Sequence, residues 1–133
     1  IHSITDLTQK NVTFINRNPG SGTRLWLDRE IHRLGLTPNL IRGYMDFVHT
    51  HSESADAVQS GRADAALGIQ AAAHQHGLDF IPLFEERYDL VIPVEQVKLV
   101  HPLLDTLQTA TFRKQLSTLT GYNTAHSGEQ IQL

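Results

Sequence analysis

The sequence predicts an α/β fold in which helices cover a parallel sheet. Runs of strand-forming residues alternate with amphipathic stretches through the first half of the chain. Glycine follows each amphipathic stretch, at Gly35, Gly61 and Gly77, as is common just past the end of a helix. Alternation of strand and helix is the order expected of parallel strands joined by helical crossovers.

The first strand and the first helix are predicted on either side of a turn. Residues 11–16 are rich in strand formers, and residues 18–22 are rich in residues that interrupt regular structure. Residues 23–34 then show the spacing of an amphipathic helix. The apolar positions of this helix are Leu25, Leu27, Ile31 and Leu34.

The remaining elements are predicted from the same patterns of apolar spacing, capping residues and breakers. They are a helical turn at 37–41, an extended segment at 42–47, a helix capped at 50–52 that ends near 60, a strand at 63–69, a helix at 70–76, strands at 80–83 and 88–93, and a helix at 99–119 that is broken near Thr109. Residues 121–133 are polar and lack such a pattern.

Length and composition narrow the classes of function. The 133 residues fit one modest domain, and 40% hydrophobic with 19% charged residues is typical of a globular protein. A net charge of −3, with scattered basic residues, argues against a direct nucleic-acid contact by this segment. No apolar run reaches the length of a membrane span, and the absence of cysteine excludes disulfides and thiolate zinc sites. Because the chain starts at Ile1, we expect an upstream domain in the parent protein.

The turn between the first strand and the first helix has the composition of an anion site. The first N–H groups of a helix lack internal partners and carry the positive end of the helix dipole. Arg17 and Arg24 add formal charge, Ser21 and Thr23 add hydroxyl donors, and Gly22 allows close approach of a ligand. The alternative is that the cluster only connects the strand to the helix and caps it. Neither GxxxxGK[ST] nor GxGxxG is present, which disfavours nucleotide binding.

Other constellations favour structural interpretations. His49 and His51 are two residues apart, as are His74 and His76, and residues at that spacing do not share a helix face. The acidic run at 85–89 is interpreted as a solvated turn, and Ser21 lies outside a GxSxG motif. We therefore expect no metal, no cofactor and no catalytic residue in this domain, which we expect to bind rather than to catalyse.

A series of segments resembles one family in the same order along the chain. The run from Phe14 to Asp28 closely resembles the periplasmic-binding-protein-like domain of molybdopterin biosynthesis proteins and molybdate-type transcriptional regulators. Further matches lie at 41–44, 50–51, 57–64, 67–69, 71–73, 77–83 and 86–90. The resemblance covers roughly residues 12–122.

The resemblance implies a type II periplasmic-binding-protein-like fold, in which two α/β lobes enclose a ligand cleft. Residues 12–76 would form the second lobe, residues 77–122 a return segment and residues 123–133 a loose tail. The first lobe would be incomplete within residues 1–133.

The same resemblance implies a ligand and a set of contacts. The ligand would be a small oxyanion, most plausibly molybdate or tungstate, and the parent a cytoplasmic molybdenum-cofactor protein or regulator. The implied ligand-binding residues are Arg17, Ser21, Gly22, Thr23, Arg24, Thr50 and His51. Two alternatives stay open: an enzyme domain that holds a phosphate-bearing, molybdopterin-like substrate, and an interaction module that forms a homodimer through the return segment.

Overall fold

A three-stranded parallel sheet organises the first part of the chain. A computed structural model describes residues 1–131, and these fall into a first unit, Ile1–Pro82, and a second unit that begins at Leu83. The last two residues of the tail expected at 123–133 lie outside the described residues. In the first unit, β1 (Phe14–Arg17) lies between β2 (Phe47–Val48) and β3 (Ala65–Ala66).

Both neighbours of β1 run parallel to it. Asn16 is opposite Phe47 on β2, and Ile15 is opposite Ala66 on β3. The parallel α/β architecture predicted from the alternating elements is therefore confirmed. The strands are shorter than the runs that predicted them, and the expected extended segment at 42–47 is largely a turn that enters β2 at Phe47.

Helices follow each strand of the first unit. They are α1 (Gly22–Arg33), α2 (His51–Gln59) and α3 (Gln70–Gln75), each within a residue or two of its predicted bounds. Short 3₁₀ turns lie at Ile4–Thr8 and Pro38–Leu40.

The two longer helices of this unit cover opposite faces of the sheet. Phe14 packs in one core cluster with Leu27 and Ile31 of α1. Ile15 packs in a second cluster with Ala57 of α2. Because successive side chains of a strand point to opposite faces, α1 and α2 lie on opposite sides of β1.

The buried face of α1 differs from the predicted one. Leu25 is 58% exposed and Leu34 37% exposed, whereas Arg24 is buried together with Leu27 and Ile31. Residues 24, 27 and 31 share one face because a helix turns by about 100° per residue. Leu25, two positions before Leu27, points away from that face.

The strands predicted at 80–83 and 88–93 are absent from the described chain. Residues 77–93 contain no helix or strand, and several of their apolar side chains, Phe80, Ile81 and Val91 among them, are exposed. A strand needs a neighbour to satisfy its backbone N–H and C=O groups. Within residues 1–131 the sheet has three strands, and none pairs with this segment. Apolar composition alone therefore gave a wrong prediction here.

Between residues 83 and 131 the second unit contains two α-helices. α4 (Val97–Gln108) follows a 3₁₀ turn at Val94–Gln96, and α5 (Ala110–Ser117) follows directly. The predicted break near Thr109 is confirmed, since Thr109 is extended and its hydroxyl accepts a hydrogen bond from the Phe112 N–H at 3.1 Å. No helix in residues 1–131 is long and apolar enough to cross a membrane.

Gly43 fixes the approach of the segment before β2 to β1. Its φ is +85°, and a Cβ placed there would lie 2.0 Å from the carbonyl oxygen of Phe14. On the same side, the Phe14 N–H donates to the Arg42 carbonyl at 2.9 Å. Only glycine combines the left-handed conformation with this backbone contact.

Replacing Gly43 with alanine should therefore destabilise the chain strongly. We expect Gly43→Ala to lower the free energy of unfolding in urea by about 2 kcal/mol or more, from backbone strain and the clash with Phe14. Gly77→Ala is the matched control, because Gly77 also has a positive φ, +65°, but nothing within 4 Å of an added Cβ. It should cost about 1 kcal/mol. Equal losses for the two variants would contradict a role for the Phe14 contact.

Candidate functional site

The carboxyl edge of the sheet brings two helix starts together. β1 ends at Arg17, shortly before α1 begins, and β2 ends at Val48, shortly before α2 begins. Because β1 and β2 are parallel neighbours, the starts of both helices lie at the carboxyl edge of the sheet. In open α/β sheets, ligands bind outside the carboxyl ends of the strands.

Arg17 carries a buried positive charge at this edge. The residue is only 7% exposed, and its Nη2 donates to the carbonyl of His49 at 2.7 Å. Nη1 lies 2.8 Å from Nδ1 and 3.0 Å from Nε2 of His51. Nε is buried without a hydrogen-bond partner in the described chain, and no carboxylate of residues 1–131 forms an ion pair with this guanidinium. A buried charge is costly unless it is paired, so this position is suited to an anion.

The start of α1 keeps backbone donors available. Ser21 caps the helix, and its Oγ accepts from the Arg24 N–H at 3.2 Å. Among residues 1–131 no acceptor is found for the N–H groups of Gly22 and Thr23, and the first turn contains no acidic residue. No carboxylate of the first turn therefore compensates the positive end of the helix dipole.

The start of α2 is closed by its own side chains. Thr50 Oγ1 accepts from the Glu53 N–H at 3.1 Å, and Glu53 Oε2 accepts from the N–H groups of His49 at 2.7 Å and Thr50 at 3.2 Å. These bonds form a capping box. The hydrogen bond from the His49 N–H, and to a smaller extent the one from the Thr50 N–H, lowers the pKa of the Glu53 carboxyl. Of the two helix starts, α1 is the more open to an external anion.

Arg24 occupies a different environment from Arg17. Its Nε lies 2.9 Å from Asp28 Oδ1, its Nη1 donates to the Tyr44 carbonyl at 3.2 Å, and its guanidinium carbon lies 4.1 Å from the centre of the Tyr44 ring. The Tyr44 hydroxyl donates to Asp28 Oδ1 at 2.5 Å. Arg24 thus connects α1 to the segment before β2, although the sequence pattern grouped it with the ligand contacts.

Three residues that support the site were missed by sequence reasoning. Asn16 is fully buried, with Oδ1 accepting from the Arg17 N–H at 2.9 Å and Nδ2 donating to the Tyr44 carbonyl at 3.2 Å. Asp28 could have been found from its spacing, because it is four residues after Arg24 on a helix. The hydrogen bond between Asn16 and the Tyr44 carbonyl joins residues that are 28 positions apart, so no local sequence pattern predicts it.

The predicted site residues thus converge in part. Arg17 and His51 are in direct contact, Thr50 precedes His51 as the cap of α2, and Ser21, Gly22 and Thr23 open α1 at the same sheet edge. Within residues 1–131 no group of three or more potential metal ligands comes together.

This arrangement is typical of ligand-binding α/β domains. The chain belongs to the PBP superfamily, whose domain model matches residues 1–108. It is 40% identical over 126 residues to the uncharacterized protein YvgK of Bacillus subtilis, which covers 95% of this chain and 41% of the relative. The chain therefore spans about two fifths of that relative's length.

A second relative is similar in length to the matched region. It is an uncharacterized protein from the 5' region of a ferredoxin 2Fe-2S gene of Clostridium pasteurianum, 36% identical over 108 residues, which are 79% of this chain and 96% of the relative. No solved structure gives a significant match.

The Arg24 contacts predict that lysine cannot take the place of this arginine without a loss of stability. Lysine would lose the planar donor set that reaches Asp28 and the Tyr44 carbonyl together. We expect Arg24→Lys to lower the free energy of unfolding by about 1–3 kcal/mol. Arg29→Lys, on the exposed side of the same helix, should change it by less than about 0.5 kcal/mol. Unfolding in urea measures the free energy of unfolding of both variants. An Arg24→Lys variant as stable as the wild type would contradict the role of Arg24 in connecting α1 to the segment before β2.

The capping box of α2 predicts a dependence of stability on pH. The pKa of Glu53 lies below its ordinary value of 4.5 in the folded chain, so its contribution is complete above that pH and is lost as the pH falls through the lowered folded value. The urea midpoint of the wild type should therefore exceed that of Glu53→Gln at neutral pH, and the difference should disappear in acid. Exchange of the exposed Glu85 for glutamine is the control and should leave the midpoint unchanged. A difference between wild type and Glu53→Gln that persists in acid would argue against the carboxylate as its source.

Proposed function

We propose that the chain binds a doubly charged tetrahedral oxyanion in the crevice between the starts of α1 and α2. The observation that carries this proposal is the buried Arg17 guanidinium, which lacks a carboxylate partner in residues 1–131 and has an unpartnered Nε. Membership of the PBP superfamily supports ligand binding in general. The free N–H groups of Gly22 and Thr23 supply the second set of donors.

The chemistry of the donors favours an oxyanion over a neutral solute. Arg17 offers a fixed charge, and the start of α1 offers backbone N–H groups and the hydroxyl of Thr23. A tetrahedral anion presents several oxygens in different directions, so it can accept from a strand end and a helix start at once. Ser21 and Thr50 then support the ligand through the caps they form, and Arg24 through the position of α1.

Molybdate or tungstate is the proposed anion, and this part rests on the family resemblance of segments 14–28 and 50–64. The resemblance also favours a cytoplasmic molybdenum-cofactor biosynthesis protein or a molybdate-responsive regulator as the parent. Sulfate and phosphate share the tetrahedral shape, so selectivity among the four anions is part of the test.

The sharpest test removes one backbone donor and leaves the helix in place. Gly22 is the first residue of α1 and follows an extended Ser21 with φ −71° and ψ 144°. Proline is well tolerated there because that N–H has no helical partner. Gly22→Pro should weaken molybdate binding by calorimetry about tenfold or more, whereas Gly22→Ala, which keeps the N–H, should bind more tightly than Gly22→Pro.

A matched control exists at the start of α5. Ala110 is also the first residue of its helix and follows an extended Thr109 with φ −70° and ψ 144°. Ala110→Pro should leave the affinity unchanged. Absence of heat with molybdate, tungstate, phosphate and sulfate would overturn the proposal, and equal affinity of Gly22→Pro and Gly22→Ala would move the site away from α1.

A second candidate function, a homodimerisation module, is favoured by the surface of the second unit. Val91 is 90%, Val94 87% and Leu99 80% exposed in the chain as described. A large contiguous apolar patch marks an interaction surface, and in this candidate function these residues form such a patch. Sedimentation velocity would show a dimer that Val91→Glu with Leu99→Glu disrupts, and a monomer at all concentrations would exclude this candidate.

A further inference from the structure

The contact between Arg17 and His51 restricts the protonation state of the histidine. Arg17 Nη1 lies within hydrogen-bond distance of both ring nitrogens of His51, at 2.8 and 3.0 Å. A guanidinium can only donate hydrogen bonds, and a protonated imidazole has no lone pair to accept one. The contact is therefore favourable only when the His51 ring is neutral.

Two groups of opposite charge, Arg17 and Glu53, lie near this contact. Glu53, in the first turn of α2, carries the carboxylate on this side, and the charge of Arg17 is among the causes that lower its pKa. His49 precedes the helix, and its ring lies edge-on to Phe47, with ring centres 5.6 Å apart. Towards β3 the His51 backbone approaches Gly68, which has no charge, and from α1 Arg24 is paired with Asp28. His49 is a further titratable group beside Glu53, and like Arg17 it is among the causes that lower the pKa of Glu53.

A dianion in this crevice changes the balance. Its oxygens are better acceptors for the Arg17 guanidinium than a neutral imidazole, because both partners are then charged. The His51 nitrogen that had accepted from Arg17 is released beside two negative charges. Nearby negative charge favours the protonated ring, which can donate to the anion.

We propose, on the basis of the proposed oxyanion site, that anion binding is coupled to the uptake of one proton by His51. In the free chain the neutral ring holds Arg17, and in the complex the imidazolium and the guanidinium both donate to the anion. One N–H bond forms on His51 and one proton leaves the solvent for each anion bound. Because of this coupling, the affinity for the anion rises as the pH falls.

Calorimetry in buffers of different ionisation enthalpy measures this proton directly. Molybdate is the probe, because phosphate takes up protons itself near neutral pH. At about pH 7 the dependence of the heat on buffer enthalpy should correspond to between half a proton and one proton taken up per molybdate. The affinity should rise by up to about tenfold for each unit of pH decrease.

The variant His51→Gln tests the proton uptake while it keeps a hydrogen-bond acceptor for Arg17. Glutamine keeps an acceptor for Arg17 but cannot take up a proton in this range, so molybdate should still bind, with almost no proton uptake and little dependence on pH. His74→Gln is the matched control, since His74 is exposed on α3, and it should behave as the wild type. A variant that has only lost its fold would lose the binding heat as well as the proton.

A second measurement uses the unmodified chain. In a sample with ring-labelled histidine, one of the eight histidine signals should show a pKa that rises on addition of molybdate. Binding without proton uptake, or uptake that persists in His51→Gln, would overturn the coupling and leave the oxyanion site standing. Absence of molybdate binding at every pH would overturn both.

Discussion

The central position of β1 in the sheet determines where every other part of the site lies. With β2 on one side and β3 on the other, both parallel to it, β1 sends Phe14 to the α1 face and Ile15 to the α2 face. The chain must therefore leave β1 and β2 towards opposite faces. Both helix starts then lie at the carboxyl edge of the sheet, where open α/β sheets bind ligands.

Two buried arginines at this edge show how the same residue type can have different roles. Arg24 lies against Asp28 and the Tyr44 ring, so its charge is compensated within the first unit. Arg17 is equally buried, but its guanidinium contacts the His49 carbonyl and the His51 ring and forms no ion pair with a carboxylate of residues 1–131. Burial of a charge without an ion-pair partner lowers stability, and such a cost is common at sites that bind a ligand.

Local patterns in the sequence predicted the elements better than the contacts between them. Helix bounds followed from spacing, caps and glycine stops, and at the predicted break near Thr109 the structure shows a side-chain cap. The failures have a common cause, because each depends on what lies opposite in space. Residues 80–83 have strand composition but lack a strand to pair with in residues 1–131, and the contact of Asn16 with Tyr44 spans 28 positions.

The two helix starts differ in how far their own side chains occupy their N–H groups. α2 begins with a capping box, so Glu53 already occupies the N–H groups of His49 and Thr50 with a negative charge. An anion near this helix would be repelled by that carboxylate unless a cation lies between them. Arg17, at the end of β1, contacts the first residue of α2 and supplies that cation. In the proposed function, the bare N–H groups of α1 and the positive side chain beside α2 would act on the same ligand, because each helix start by itself offers only part of the donors that a dianion needs.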